Sequence, residues 1–364
     1  MKRSTDRKIV IPYKELIEFS NNILLNFGVP EKETEIISNS IVHANLMGHH
    51  SHGIARLTDY IVRIEKGLAK KHTELTYIKN APSVALIDAN NGWGQVASET
   101  AVEVAVEKAK EAGSSWVGVY NSNHYGTSGY WTSKISSNGM IGISMTNTSP
   151  VMAPFGSREA SLGTNPISIA IPTKSGKPVL LDMATSNQAR GKITLAAKTG
   201  QIIPDDWAIT KDGKRTTDPR EALEGSLLPF GGAKGSGLAL MVDILSGVLT
   251  NSAFGSDISQ FYNGDSPQNL GHIFGAINID AMLSLPDFLE RMEERENQTR
   301  NSAPALGFEK VFMPGDIEHS NFQRQERDGI ELDDKIFEEL LETARRHGVK
   351  ESFFDEVWLS RDKH

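Results

Sequence analysis

The stretch "PISIAIPTKSGKPVLLDMA", residues 166–184, reads as two short apolar strands around a tight turn. "PISIAIPT" and "PVLLDMA" are rich in β-branched and aliphatic residues, and "KSGK" between them has turn composition. Strands joined by so short a connection must run antiparallel, because a parallel pair needs a long crossover. Working outward, "SVALIDA", "SSWVGVYNS" and "GMIGISMTN" read as further strands, and "GQVASETAVEVAVEKAKEAG" as a helix closed by Gly113. Strands outnumber helices here, so this region is α+β, not a regular alternation of βα units.

The flanks have a different texture. Residues 13–27 and 30–47 read as amphipathic helices. Pro30 suits the first turn of the second, and Ile37, Ile41 and Ala44 repeat at helical spacing. A third helix is expected to start near Ser51 and run to Gly67. Residues 231–250 combine a glycine-rich turn with an apolar helix, "PDFLERMEEREN" reads as a solvated helix, and residues 334–348 as an amphipathic one closed by Gly348.

At 364 residues the chain has room for two or three structural units. Its net charge of −8, without a Lys/Arg block, argues against nucleic acid or an anionic membrane as partner. No cysteine is present, which excludes disulfides, thiolate nucleophiles and Cys-ligated zinc. "MKRSTDRKIVIPYKEL" lacks the apolar core of a secretory signal, and no apolar run is long enough for a transmembrane helix. The expectation is a cytoplasmic protein acting on a small molecule.

"GHHSHGIARLTDY", residues 48–60, carries His49, His50 and His52, with His43 just upstream. As a metal site it lacks a nearby carboxylate before Asp59 and matches no helical zinc spacing, so no metal is expected. His49 and His50 read as exposed residues of a turn. If a helix begins at Ser51, then His52, Arg56 and Tyr60 fall at i, i+4 and i+8 on one face. Ser51 could cap that helix, Gly53 permits close approach of another group, and Arg56 can grip a carboxylate through two hydrogen bonds. Such a wall suits a carboxylate beside a hydroxyl or carbonyl; the bland alternative is that Arg56 pairs with Asp59 or Glu65.

His124 stands in "YNSNHYGTSGYW" directly after a strand, a frequent placement for active-site residues. Asp182 sits at a strand end, with Thr185 and Ser186 placed to cap the next helix, and Lys192 or Lys234 could add positive charge for a phosphate. Neither G-x-G-x-x-G nor a P-loop occurs, so the dinucleotide fingerprint of the Rossmann fold is absent.

In order along the chain, "GHHSHGIARLTDY", "NSNHYGTSGYW", "LGTNPISIAIP", "DMATSNQARGK", "DPREALEGSLLPFGGAKGSGLALMVDILSG" and "MPGD" resemble the malate/L-lactate dehydrogenase family of the non-Rossmann type. The resemblance spans residues 13 to 350. It implies hydride transfer between NAD or NADP and a small 2-hydroxy/2-oxo acid, malate first and lactate second, in a homodimer. It also implies an α+β fold. In it, residues 81–316 form a non-Rossmann NAD(P)-binding domain with a mixed, largely antiparallel sheet and an inserted subdomain. Residues 1–80, joined by C-terminal helices within 317–364, form a helical substrate-side domain. Ser51, His52, Arg56 and Tyr60 match the family's substrate-side motif and His124 its second active-site histidine; His52 and His124 are the expected catalytic histidines, and Asp182 is expected to orient His52. Asn147, Asp182, Met183, Ala184, Lys234, Pro314, Gly315 and Asp316 match positions that meet the cofactor. His50 replaces a common Asp, Thr58 a common Pro, "KGSGL" the more familiar "KGYGL" and "PGD" the more familiar "PGE", which leaves the substrate open. Ureidoglycolate or sulfolactate dehydrogenase and cyclic ketimine reductase are the alternatives within the fold. A metal-dependent hydrolase or a silent binding protein is the alternative outside it.

Overall fold

The computed structural model describes residues 8–349; residues 1–7 and 350–364, at the ends of the expected helical domain, lie outside the described residues. The elements run β1 (Lys8–Ile11), α1 (Tyr13–Phe27), α2 (Glu31–Leu46), α3 (Arg56–Glu65), β2 (Thr76–Asn80), β3 (Val84–Asp88), α4 (Gly94–Ala112) and β4 (Ser114–Ser122). Then follow α5 (Ser128–Ser136), β5 (Met140–Thr146), β6 (Ile167–Ile171), β7 (Val179–Met183), α6 (Arg190–Thr199), β8 (Ala208–Ile209), α7 (Pro219–Glu224) and β9 (Ser226–Leu227). The chain closes with α8 (Ala233–Asp243), β10 (Leu270–Asn278), α9 (Leu285–Arg300), α10 (Asp316–Asp328), β11 (Ile330–Asp333) and α11 (Asp334–Arg346). No helix among the described residues is long and apolar enough to cross a membrane.

The chain divides into two compact units, residues 1–72 with 315–364 and residues 73–314. The first is not purely helical, because β1 and β11, from opposite ends of the chain, pair antiparallel. Its helices end where the chain can turn left-handed: α1 stops at Gly28, whose φ of 90° costs a glycine nothing. Leu16, Phe19 and Ile23 of α1 and Ile37 and Ile41 of α2 are fully buried, and the Ser38 hydroxyl donates to Ser20 Oγ at 2.8 Å between them. Gln325 of α10 donates to the carbonyls of Asn45 and Leu46, satisfying the open end of α2.

The second unit is built on a seven-stranded sheet in the order β2-β3-β4-β10-β5-β6-β7. Only β3 and β4 pair parallel, and α4 is the crossover between them; the remaining neighbours are antiparallel. The fold is therefore α+β with a mixed, largely antiparallel sheet. The expected hairpin of residues 166–184 is β6 and β7, with Ile167 opposite Met183 and Ile171 opposite Val179. Helices α4 and α5 cover one face: Ser115 of β4 donates to the Ala105 carbonyl, and Gly142 of β5 lies against Thr132 and Ile135. The opposite face takes α8 and its π-helical extension (Ile244–Val248), through Val242 and Leu245 on Met145 and Ile273. Residues between β7 and α8, among them Ile193, Ala208 and Leu227, form a satellite core with Met152 and Leu162 of the β5–β6 connection.

Candidate active site

In the first unit, the helix expected from Ser51 is interrupted. His50–His52 form a 3₁₀ turn, Gly53 is extended (ψ −151°), and α3 begins only at Arg56, with no side-chain cap. Asn45 is the cause: its Oδ1 accepts the N–H of Ile54 at 2.7 Å, and a Cβ on Gly53 would lie 2.1 Å from that oxygen. Ser51 is thus not a helix cap, and His52 does not share a continuous helix face with Arg56 and Tyr60. What joins them is Ser51 itself. Its hydroxyl pairs with His52 Nδ1 at 3.1 Å and its carbonyl accepts from Arg56 Nε at 2.7 Å.

Arg56 also reaches Asp59, with Nη1 3.4 Å from Oδ2. Burial raises the Asp59 carboxyl above its usual range, against the pull of Arg56. Burial first, then the charges of Arg56 and His49, push His52 down to about 3, so its ring is neutral near pH 7. His50 is exposed as expected, but His49 is half-buried and electrostatically coupled to both His43 and His52. Tyr60 is buried in α3. A pocket of about 180 Å³ lies on the Asn45 side of the turn, lined by His50, Ile54 and residues of β11. Among the described residues no group of three or more His, Asp or Glu could hold a metal ion.

In the second unit, His124 follows β4 in a loop whose neighbours are all pinned. Asn123 Nδ2 donates to the carbonyls of Asn91 and Gly92, and Tyr125 is fully buried with its hydroxyl 2.6 Å from Ser128 Oγ. His124 itself is half-buried, its ring 5.6 Å from that of Phe261. Its Nδ1 accepts the backbone N–H of Gly126 at 3.3 Å. A nitrogen that accepts cannot carry the proton, so the neutral ring presents Nε2–H as a donor. Asp182 Oδ2 accepts the N–H of Gly129 at 2.8 Å, in the first turn of α5.

The positions expected to meet a cofactor divide into two kinds. Asn147 is fully buried; Nδ2 donates to Asp243 and the Ala253 carbonyl, and Oδ1 accepts from Gly271 N–H. Its side chain holds the fold. Of the others Gly315 is buried, and the rest are exposed or half-buried. Asp182, Met183 and Ala184 are half-buried at the end of edge strand β7, and the Pro314 carbonyl accepts from Leu180 N–H of the same strand. Gly315, at φ 95°, then opens α10 with Asp316 as its first residue. Lys234 is exposed in the first turn of α8, after Gly231 and Gly232 at φ 54° and 62°. A lysine at an uncapped helix start behind a glycine turn is a donor set that fits a phosphate-bearing ligand.

The sequence profile of the family described as malate/L-lactate dehydrogenase matches residues 11–341. The chain belongs to the malate/L-lactate dehydrogenase family. The protein is therefore an NAD(P)-dependent hydroxyacid dehydrogenase. It is similar to the malate dehydrogenase of Pyrococcus abyssi, 41% identical over 93% of this chain and 95% of that one. It is also similar to the L-sulfolactate dehydrogenase of Methanocaldococcus jannaschii, 39% identical over 96% and 97%. The solved structure of malate dehydrogenase from Pyrococcus horikoshii OT3 superposes with a TM-score of 0.87 at 38% identity, covering 94% of this chain and 97% of that one.

Two parts of the dehydrogenase went unmarked in the sequence. Asn45 sits in an ordinary helical pattern, and only the fold shows it pinning the Gly53 turn. His272 lies in "LGHIFGAIN", a mostly apolar run that becomes β10 at the centre of the sheet, fully buried beneath the His124 loop. The apolar run was the available signal for the strand; nothing local marked the histidine.

Proposed function

We propose that this dehydrogenase interconverts malate and oxaloacetate, with lactate and pyruvate as the second substrate pair, in a homodimer. The Ser51 turn carries the reading, because it holds a neutral imidazole and a guanidinium together through one residue. Arg56 grips the carboxylate next to the reacting carbon. His52 takes the hydroxyl proton during oxidation and returns it during reduction. Ser51 can serve either tautomer, since a hydroxyl both donates and accepts. A bound dicarboxylate offsets the Arg56 charge and so raises the His52 pKa part of the way, while burial, the larger cause, still holds it below the ordinary value.

His124 has the complementary task. With Nδ1 committed to Gly126, its Nε2–H donates to the substrate oxygen and stabilises charge on it without taking the proton. Tyr60 backs the substrate wall. When bound, the nicotinamide exchanges a hydride with the substrate carbon. Lys234, the segment Asp182–Ala184 and the turn Pro314–Asp316 are the residues assigned to hold the cofactor, and Asp182 additionally anchors α5.

The homodimer is supported by α8. Leu240, Met241, Ile244 and Val248 are 46%, 48%, 38% and 52% exposed and share one face, while the other face packs on the sheet. A helix apolar all round is normally buried all round, and a second copy is the partner that would cover it.

The test is turnover of oxaloacetate, pyruvate and a sulfonated 2-oxo acid with NADH and with NADPH. Oxaloacetate should be the best substrate. His52→Gln should lower its turnover by about 10²–10⁴-fold while cofactor binding persists. A clear preference for the sulfonated acid would overturn the substrate, and full turnover in His52→Gln with loss in His124→Gln would exchange the two roles.

A further inference from the structure

His272 does no chemistry in the reading above, yet it is a fully buried imidazole in the central strand of the sheet. Isolating such a group in a core is costly unless both ring nitrogens are satisfied. Here they are. Nδ1 is 2.7 Å from Thr146 Oγ1 at the end of β5, and Nε2 is 2.9 Å from Ser122 Oγ at the end of β4. The Thr146 hydroxyl has the carbonyls of Gly271 and Asn147 at 3.0 and 3.1 Å to donate to, so it accepts from His272 Nδ1–H. Nε2 then accepts from Ser122. The ring holds one donor and one acceptor bond across β4, β10 and β5, and burial keeps it neutral by pushing it down to about 3.

The same ring carries the His124 loop. Tyr125 stacks on it with centroids 4.5 Å apart and planes within 8°. The carbonyls of Asn123 and Gly271 lie against it as well. The residues on both sides of His124 therefore rest on His272. Two features aim the ring there: the register of β10 against β4 shifts between Leu270 and His272, as at a β-bulge, and Gly271 sits so close to Ser246 that a Cβ would meet its carbonyl oxygen at 1.6 Å. Around it, Tyr125 bonds to Ser128 and Ser144, and Thr132 to Ser168, so the layer beneath α5 is polar and paired. An apolar core would fill this space more cheaply; a layer of directed bonds fixes orientation.

We propose that His272 is a positioning residue that sets the direction of the His124 ring by clamping Ser122 and stacking on Tyr125. The inference rests on the role given to His124 above. Substitutions at His272 and His124 should therefore be non-additive, because a residue acting only through His124 has nothing to act on once that ring is gone.

The experiment is a double-mutant cycle with oxaloacetate and NADH as the probe. His272→Phe keeps a ring against Tyr125 but removes both bonds. It should lower kcat by about 10–100-fold with KM changed less than about threefold, the scale of a misplaced catalytic group. In a His124→Gln background the same substitution should cost no more than about twofold. His272→Gln, whose amide offers both a donor and an acceptor, should recover part of the loss. If His272→Phe does not fold, Ser122→Ala tests the same clamp, with a smaller kcat loss that also disappears in His124→Gln. Equal fold-losses in both backgrounds would make the layer merely structural and overturn the proposal. Wild-type turnover in His124→Gln would instead overturn the reading of His124 on which it rests.

Discussion

Gly94→Ala should damage catalysis from a position that touches no ligand. Gly94 opens α4, and a Cβ built on it would lie 2.1 Å from the carbonyl oxygen of Asn123 and 2.7 Å from that of His124. An ordinary carbon–oxygen contact is about 3.3 Å, so roughly 1 Å of backbone must move. The helix cannot easily yield, because α4 is held against β4 by Ala101, Ala105 and Ala109, all fully buried. The displacement therefore falls on the loop carrying His124. Overpacking of this kind costs about 1–3 kcal/mol of stability, and a catalytic group misplaced by about 1 Å loses roughly 100-fold in rate. Steady-state turnover of oxaloacetate and thermal unfolding read the two effects separately. Gly191→Ala, where a Cβ would meet nothing within 4 Å, is the neutral control. Turnover within about twofold of wild type in Gly94→Ala would refute the claim that backbone placement of this loop limits the reaction.

Arg56→Lys should raise KM for the 2-oxo acid by about 10–100-fold with a smaller change in kcat, because an ammonium cannot hold the Ser51 carbonyl and a carboxylate in one plane; unchanged KM would remove Arg56 from substrate binding. Acid should destabilise the fold through His272. Its folded pKa of about 3 lies below the unfolded value near 6.5, so its contribution is complete above about pH 6.5 and is lost as pH falls toward 3. At about pH 5 the loss is about 2 kcal/mol from this residue, and His43, held down to about 4 by burial, acts in the same direction. Urea unfolding at both pH values checks this, and His272→Phe should show a shallower acid dependence. Ile244→Glu on the exposed face of the π-helical extension of α8 should lower the molar mass seen by light scattering; an unchanged mass would place any dimer contact elsewhere.

Local chemistry determined much of this protein. Gly113 in the left-handed region stops α4, and the turn residues between β6 and β7 fix an antiparallel pair, so both were legible as sequence. The histidines and the arginine proposed for the site stood out for a similar reason: their chemical type and the ordered blocks around them are one-dimensional facts. What the tertiary structure alone decided is how those groups are held. β10 inserts between β4 and β5 although more than a hundred residues separate it from either, and no local pattern announces that pairing. The helix expected from Ser51 fails because Asn45, from the preceding helix, takes the Ile54 N–H and leaves Gly53 extended. His52 and Arg56 meet through the two ends of Ser51 instead of across a helical turn. The bond from Gly129 to Asp182 and the burial of Asn147 follow the same rule. Sequence supplies the functional groups, but a hydrogen bond's direction depends on which distant backbone atom folding brings within reach.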